Sequence, residues 1–244
     1  MERYIEYLLD RYYQMQEHRL ATNNQIRALR EAKMDVKPLM KFSDDFYAIE
    51  CEIAKTLEQS VRGHIMYSWL KEVKGIGPIM SAALVCTIDI AKAEHASSLW
   101  KYAGLAPGQK RVKGQKLDWN PFLKKTCWLI GKSFVKTKGE YRGIYDTSKK
   151  FYQKKFPKEV KEGNRVMYTK GHIDAMARRR TVKLFLSAFW AEWRKLEDLP
   201  VSEPFAHRIE ASDGKKTIII KRASVRKTPI KGKRAIRQKK TKQS

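Results

Sequence analysis

Three groups of residues have types and spacings suited to handling a polyanion. The first is Val73-Lys74-Gly75-Ile76-Gly77-Pro78, two glycines around one apolar residue, with a proline placed to open a helix. Such a turn permits positive φ and close approach to the backbone, and its N–H groups, with the positive end of the following helix, can face a phosphate. A plain glycine turn between two packed helices uses the same residues. The phosphate role makes Gly75, Ile76 and Gly77 candidate contacts, which would position a nucleic acid without reading its bases.

The second group is the loop 108–118, which holds Lys110, Arg111, Lys113 and Lys116, with Trp119 just beyond. Cations beside an aromatic ring suit a surface that tracks a sugar-phosphate backbone and stacks on bases, while a place in the core is the alternative for Trp119. Lys124 and Lys125 follow, on a segment whose Phe122, Leu123, Thr126, Leu129 and Ile130 share one side. The third group is Arg178-Arg179-Arg180. Three consecutive residues of a helix span most of a turn, so one or two can face a nucleic acid while another forms an internal ion pair.

Residues for covalent or metal chemistry are scarce. Acids between positions 74 and 135 are limited to Asp89, Glu94 and Asp118, too few and too scattered for a two-metal carboxylate site. Asp44, Asp45 and Glu50 are placed to cap the start of a helix. Neither a Gly-x-Ser-x-Gly elbow nor a Walker loop is present. Cys51, Cys86 and Cys127 form no Cys-x-x-Cys pair, and the five histidines are equally dispersed. The cysteines therefore read as reduced, buried thiols, and no metal, cofactor or catalytic residue is assigned.

The elements that must position these groups are helical. Residues 3–33 contain neither Gly nor Pro, and Ile5, Leu8, Tyr12, Met15, Ile26 and Leu29 recur at three- and four-residue steps. Arg19 and Thr22 interrupt that stripe, which favours packing against a partner helix over a long zipper. Pro38 should end this helix, and Ser43-Asp44-Asp45 should open a second, with a stripe of Phe46, Ile49, Ile53, Leu57, Val61 and Ile65. Helices over 3–34 and 44–72 are expected to form an antiparallel hairpin or a dimerising coiled coil. Further helices are expected after Pro78, around 97–103, from the Asn120-Pro121 cap, within 139–156 and from Gly171 to about Leu196, with a polar connection over 157–170. The fold class is mainly α: a helical hairpin or coiled coil over 1–72, a compact helical domain with a helix–hairpin–helix unit over 73–200, and a basic, mostly disordered tail over 201–244.

Charge gives these elements their context. Fifty-two Lys and Arg against 26 Asp and Glu leave +26 on 244 residues, so the chain should seek a polyanion, while 42% hydrophobic residues suffice for a core. Residues 215–244 carry thirteen of the basic residues and no acid, leaving +13 for residues 1–214. Within the tail only Lys216–Lys221, with three isoleucines, resembles a strand. No stretch approaches the roughly 18–20 apolar residues that cross a bilayer, and the N-terminus lacks an apolar signal core. A cytoplasmic protein is expected, nucleoid-associated in a prokaryote, with no membrane partner.

Val73 to Pro78, Ser81-Ala82-Ala83-Leu84 and Leu99-Trp100-Lys101-Tyr102-Ala103-Gly104-Leu105-Ala106-Pro107 resemble, in order and spacing, the C-terminal domain of the insertion-sequence one-ten / one-sixteen / nine-oh-two transposases. Asn120 to Val135, Tyr141 to Tyr152 and Gly171 to Trp190 are similar to that family's later segments, and 1–72 to its coiled coil. Members are recombinases guided by a structured RNA that bridges target and donor DNA. The resemblance implies DNA as a ligand, structured RNA as a second, and a homo-oligomer formed through residues 1–72. The family's acidic RNase-H-like domain would lie before Met1, and its nucleophilic serine falls near Val112-Lys113, where no hydroxyl stands. The expectation is thus a transposase-like binding protein of DNA transposition without complete catalytic machinery. A non-acidic subunit of a split recombinase, or a coiled-coil regulator of an intact transposase, is the alternative.

Overall fold

The computed structural model describes residues 2–162 and 165–202. Eight helices and one short β-hairpin make up this part, a mainly α fold as the sequence pattern predicts. The predicted strand at Lys216–Lys221 and the predicted basic tail beyond residue 202 lie outside the described residues.

Helix α1 (Glu2–Glu31) and α2 (Lys37–Val61) form an antiparallel hairpin within one chain. Lys33, at φ 57°, terminates α1, with the N–H of Met34 reaching back to the carbonyl of Leu29 at 3.0 Å. Pro38 therefore does not end α1; it stands in the first turn of α2, where its missing N–H costs nothing. Ser43, Asp44 and Asp45 consequently fall inside α2 and do not cap it. Ser43 is buried and donates to Asn23 Oδ1 across the hairpin at 2.9 Å. Glu50 is likewise no cap: it is 3% exposed and accepts two hydrogen bonds from Arg19, at 2.5 and 3.1 Å. Arg19, which interrupts the apolar stripe of α1, thus fills the seam with an ion pair.

The single helix expected over 44–72 is two. After Val61 the chain turns through Gly63 and His64, whose Nδ1 accepts from the N–H of Met66 at 3.1 Å, and α3 (Tyr67–Glu72) restarts at a new rotation. Met66 is buried in place of Ile65, which is 42% exposed. The apolar stripe continued through that turn because the wrong member of an adjacent pair fits its period.

Helix α4 (Pro78–Thr87) runs through the centre and buries every residue from Ser81 to Cys86. It is followed by α5 (Ala96–Tyr102), α6 (Pro121–Lys136) and α7 (Glu140–Lys155). Residues 157–170 are not wholly irregular: β1 (Val160–Glu162) pairs antiparallel with β2 (Arg165–Met167), Val160 opposite Met167. Helix α8 (Lys170–Leu196) then spans the domain, its N-terminus capped by Thr169 Oγ1. Phe134, Phe185, Phe189 and Trp190, all at most 1% exposed, make the centre of one core that also takes in Ile5 and Leu9 of α1 and Leu57 and Val61 of α2. Buried Arg194 donates to the carbonyls of Ile90, Ala93 and Pro200, and Trp190 Nε1 donates to Ala93 as well, so the segment between α4 and α5 is fastened to α8. No described helix is long and apolar enough to cross a membrane.

Candidate nucleic-acid interface

The glycine turn lies between α3 and α4, and its two glycines have different surroundings. Gly75 has φ +103°, and a Cβ there would stand 2.8 Å from Thr137 Oγ1, 3.1 Å from Phe134 Cδ1 and 3.2 Å from Ser133 Oγ. Its carbonyl accepts a hydrogen bond from Ser133 Oγ at 2.6 Å. Gly75 therefore serves close packing on the end of α6, and Ile76, 8% exposed, belongs to the core. Gly77 is exposed, with nothing within 4 Å of its Cβ position, and no side chain caps α4 there. Of the three predicted contacts only Gly77, with the first-turn N–H groups of Ile79 and Met80, faces outward at an uncapped helix start.

The loop after α5 has a rigid frame and an open tip. Gln109 Oε1 accepts from the N–H of Ala106 at 3.0 Å, and its Nε2 donates to the carbonyl of Lys101 at 3.0 Å and to Asp118 Oδ2 at 3.3 Å. Asn120 closes the loop: its N–H donates to the carbonyl of Tyr102, its Nδ2 to Tyr102 Oη, and its Oδ1 accepts from the N–H of Leu123, capping α6 as expected. Between these anchors Lys110, Arg111, Lys113 and Lys116 are all exposed, and among the described residues none has a carboxylate partner. The loop therefore presents four uncompensated charges on a fixed base.

Trp119 lies between the surface and the core. It is half-buried, against Gly104 and beneath Lys124, whose Nζ lies 4.2 Å from the ring centroid. Lys125 Nζ lies 4.0 Å from the ring of Tyr13 on α1, and Lys132 Nζ 4.4 Å from that of Trp128. Cation–π contact holds the ammonium groups without neutralising them.

This geometry, an outward glycine and an open basic loop joined by α4 to α6, falls in one stretch of chain. Residues 67–133 match the model of the Transposase IS116/IS110/IS902 family. The match bears out the resemblance to that family's C-terminal domain and supports a transposase-like role in DNA transposition. It covers about a quarter of the chain, including every predicted contact except the arginine triplet. No curated protein and no solved structure gives a significant match.

Within the matched segment several groups that could act as nucleophiles are engaged or shielded. Ser133 donates to Gly75, Tyr102 Oη is bonded to Asn120, and burial pushes the Cys127 thiol up to about 12. Of the other cysteines, Cys86 is buried and Cys51 half-buried. Among the described residues no group of His, Cys, Asp and Glu could hold a metal. A groove of about 1510 Å³, lined by Ile5, Val85, Ile88, Leu99 and Trp193 among others, lies apart from all the predicted contacts.

Beyond the matched segment the arginine triplet divides its work. Arg178 pairs with Asp174 at 2.8 Å, Arg179 is exposed, and Arg180 lies 5.4 Å from the ring of Phe151. Asp174 also accepts from Tyr145 Oη and lies 3.5 Å from Lys149, so it ties α7 to α8. Burial alone would raise its pKa, but the Tyr145 hydrogen bond with the charges of Arg178 and Lys149 outweighs it and holds the carboxyl below the ordinary range. Trp128 on α6 is 54% exposed and was not among the predicted contacts, although its place on the lysine side of that helix pointed outward.

Proposed function

We propose that this chain is a nucleic-acid-binding protein of DNA transposition, with DNA as the ligand of its basic loop and structured RNA as a second ligand of the same surface. The observation that carries the reading is the set Lys110, Arg111, Lys113 and Lys116, exposed and uncompensated on a loop pinned by Gln109 and Asn120, inside the segment that matches a transposase family. Exposed cations recognise phosphates by charge and release counterions on binding. Gly77 and the start of α4 add donors that suit a phosphate oxygen, and Arg179 extends the positive surface onto α8. Positioning of nucleic acid is assigned to these residues, and strand cleavage to none of them.

The test replaces the four loop cations together by alanine and follows binding to duplex DNA and to a folded RNA by fluorescence anisotropy across a salt series. Each cation–phosphate pair removed should lower the slope of log K against log salt by about 0.9, so four such pairs flatten it by roughly 3 to 4. Unchanged affinity and slope for both ligands would remove the loop from the interface. Association of copies is assigned to the hairpin, where Phe42 and Ile49 of α2 are 54% and 42% exposed. The variant Phe42→Glu with Ile49→Glu should lower the oligomer mass by light scattering, and an unaltered mass places that contact elsewhere.

A further inference from the structure

The solvent face of α6 is made of very few residue types. Its exposed positions are Pro121, Lys125, Trp128, Lys132 and Lys136, spaced by three or four residues and therefore on one stripe. Helix α6 contains no acid. The other five tryptophans are buried or half-buried; Trp128 alone leaves more than half its surface in water. Lys132 Nζ stands over its ring at 4.4 Å. The stripe from Lys125 to Lys136 is about 16 Å long at the rise of an α-helix.

We propose that this stripe is a platform for unpaired nucleotides, with the indole of Trp128 stacking on a base and Lys125, Lys132 and Lys136 meeting the flanking phosphates. This rests on the nucleic-acid reading above and adds the strand state that the α6 face takes. Two properties select the occupant. Positive charge without any carboxylate on the helix selects a polyanion, and a large exposed ring selects one that offers flat π faces. A duplex hides its base faces in its own stack, whereas a single strand presents them, and stacking on an aromatic side chain is tolerant of sequence. Apart from Pro121, Trp128 is the one exposed apolar side chain of the helix, a poor match to a lipid surface, which is met by a continuous apolar face.

The test compares the full chain with Trp128→Ala and Trp128→Phe, using labelled oligothymidylate, oligouridylate and a mixed-sequence DNA duplex. The expected result is a loss of roughly 5- to 100-fold in single-strand affinity for Trp128→Ala, with duplex affinity within about 2-fold and most single-strand affinity kept in Trp128→Phe. A loss confined to oligothymidylate or to oligouridylate also supports the platform and identifies the strand as DNA or RNA. Thermal melts should coincide, because the ring is exposed. Unchanged single-strand binding, or an equal loss on the duplex, overturns the inference and leaves the loop reading standing, whereas a wild-type chain that binds none of the probes overturns both. Vesicles containing phosphatidylserine are the control surface: Trp128-dependent binding to them with none to single strands also overturns it.

Discussion

Gly75 and Gly114 are both glycines at positive φ in the same domain, at +103° and +82°, and they do opposite things. Gly75 is closed in by Thr137, Phe134 and Ser133, and its carbonyl is held by Ser133, so its missing side chain lets two helices meet. Gly114 has nothing within 4 Å of a Cβ position and stands among four exposed cations that have no carboxylate partner among the described residues. A glycine-rich turn in a basic protein is thus no single signal. Where the turn packs, it serves stability; where it is open beside unpaired charge, it is free to serve a ligand.

The largest effect should come from closing that contrast at Gly75. Gly75→Ala combines backbone strain of about 1–2 kcal/mol with overpacking of about 1–3 kcal/mol, giving a loss of roughly 2–5 kcal/mol in denaturant unfolding. Adding Thr137→Ala removes the nearest obstructing atom but not Phe134 or Ser133, so the double variant should recover part of the overpacking loss and keep the strain. If the two losses simply add, Gly75 is not held against α6 by Thr137.

A second prediction contrasts paired with unpaired cations. Asp174→Asn leaves Arg178 and Lys149 without their carboxylate and should cost about 1–3 kcal/mol. Because the native carboxyl is held below its ordinary range, its contribution is complete above the unfolded-state pKa and disappears as pH falls through the lowered native value. The stability difference between wild type and variant, measured by melts at neutral pH and in acid, should therefore shrink in acid. A difference independent of pH would show that the carboxylate charge is not what ties α7 to α8.

The contrast between closed and open also marks what was legible in the sequence. The helices after Pro78, around 97–103, from Asn120-Pro121, within 139–156 and from Gly171, the Asn120 cap and the exposure of the loop cations follow from local rules, and the structure agrees with each. What local rules missed were choices made by tertiary contacts. The helix expected over 44–72 broke because Met66, not Ile65, reaches the core, and both positions fit an apolar period through a turn. Glu50 looked like a capping acid until α1 brought Arg19 to it across 31 positions. Gly75 read as a phosphate contact because its obstruction comes from residues 133–137, some sixty positions away. Trp128 was hidden by its type, since a tryptophan is by default a core residue.

Gly114→Ala should have a smaller effect than either Gly75→Ala or Asp174→Asn. The strain of a side chain at positive φ is about 1 kcal/mol, and an open tip can relieve part of it by shifting φ, since no neighbour resists. Melting should move by about a degree or two, while the anchors at Gln109 and Asn120 hold the loop base. A loss as large as that of Gly75→Ala would mean that the loop tip is packed, and the distinction between the two turns would collapse.

The smallest stability effect is expected at Gly77, and it is the most discriminating of the four. Its backbone, φ −97° and ψ 176°, is one that any residue adopts, and a Cβ there meets no atom within 4 Å. Gly77→Ala should therefore cost about half a kcal/mol or less, the ordinary difference between Gly and Ala at an uncapped helix start. A phosphate approaching the N–H groups of the first turn of α4 would meet that methyl group, however. Duplex affinity should then fall several-fold in anisotropy titrations while the melt stays in place. Gly75→Ala gives the converse pattern, lower stability with unchanged affinity per folded molecule. If Gly77→Ala alters neither quantity, the turn between α3 and α4 is a packing device on both sides, and phosphate contact belongs to the open loop and α6 alone.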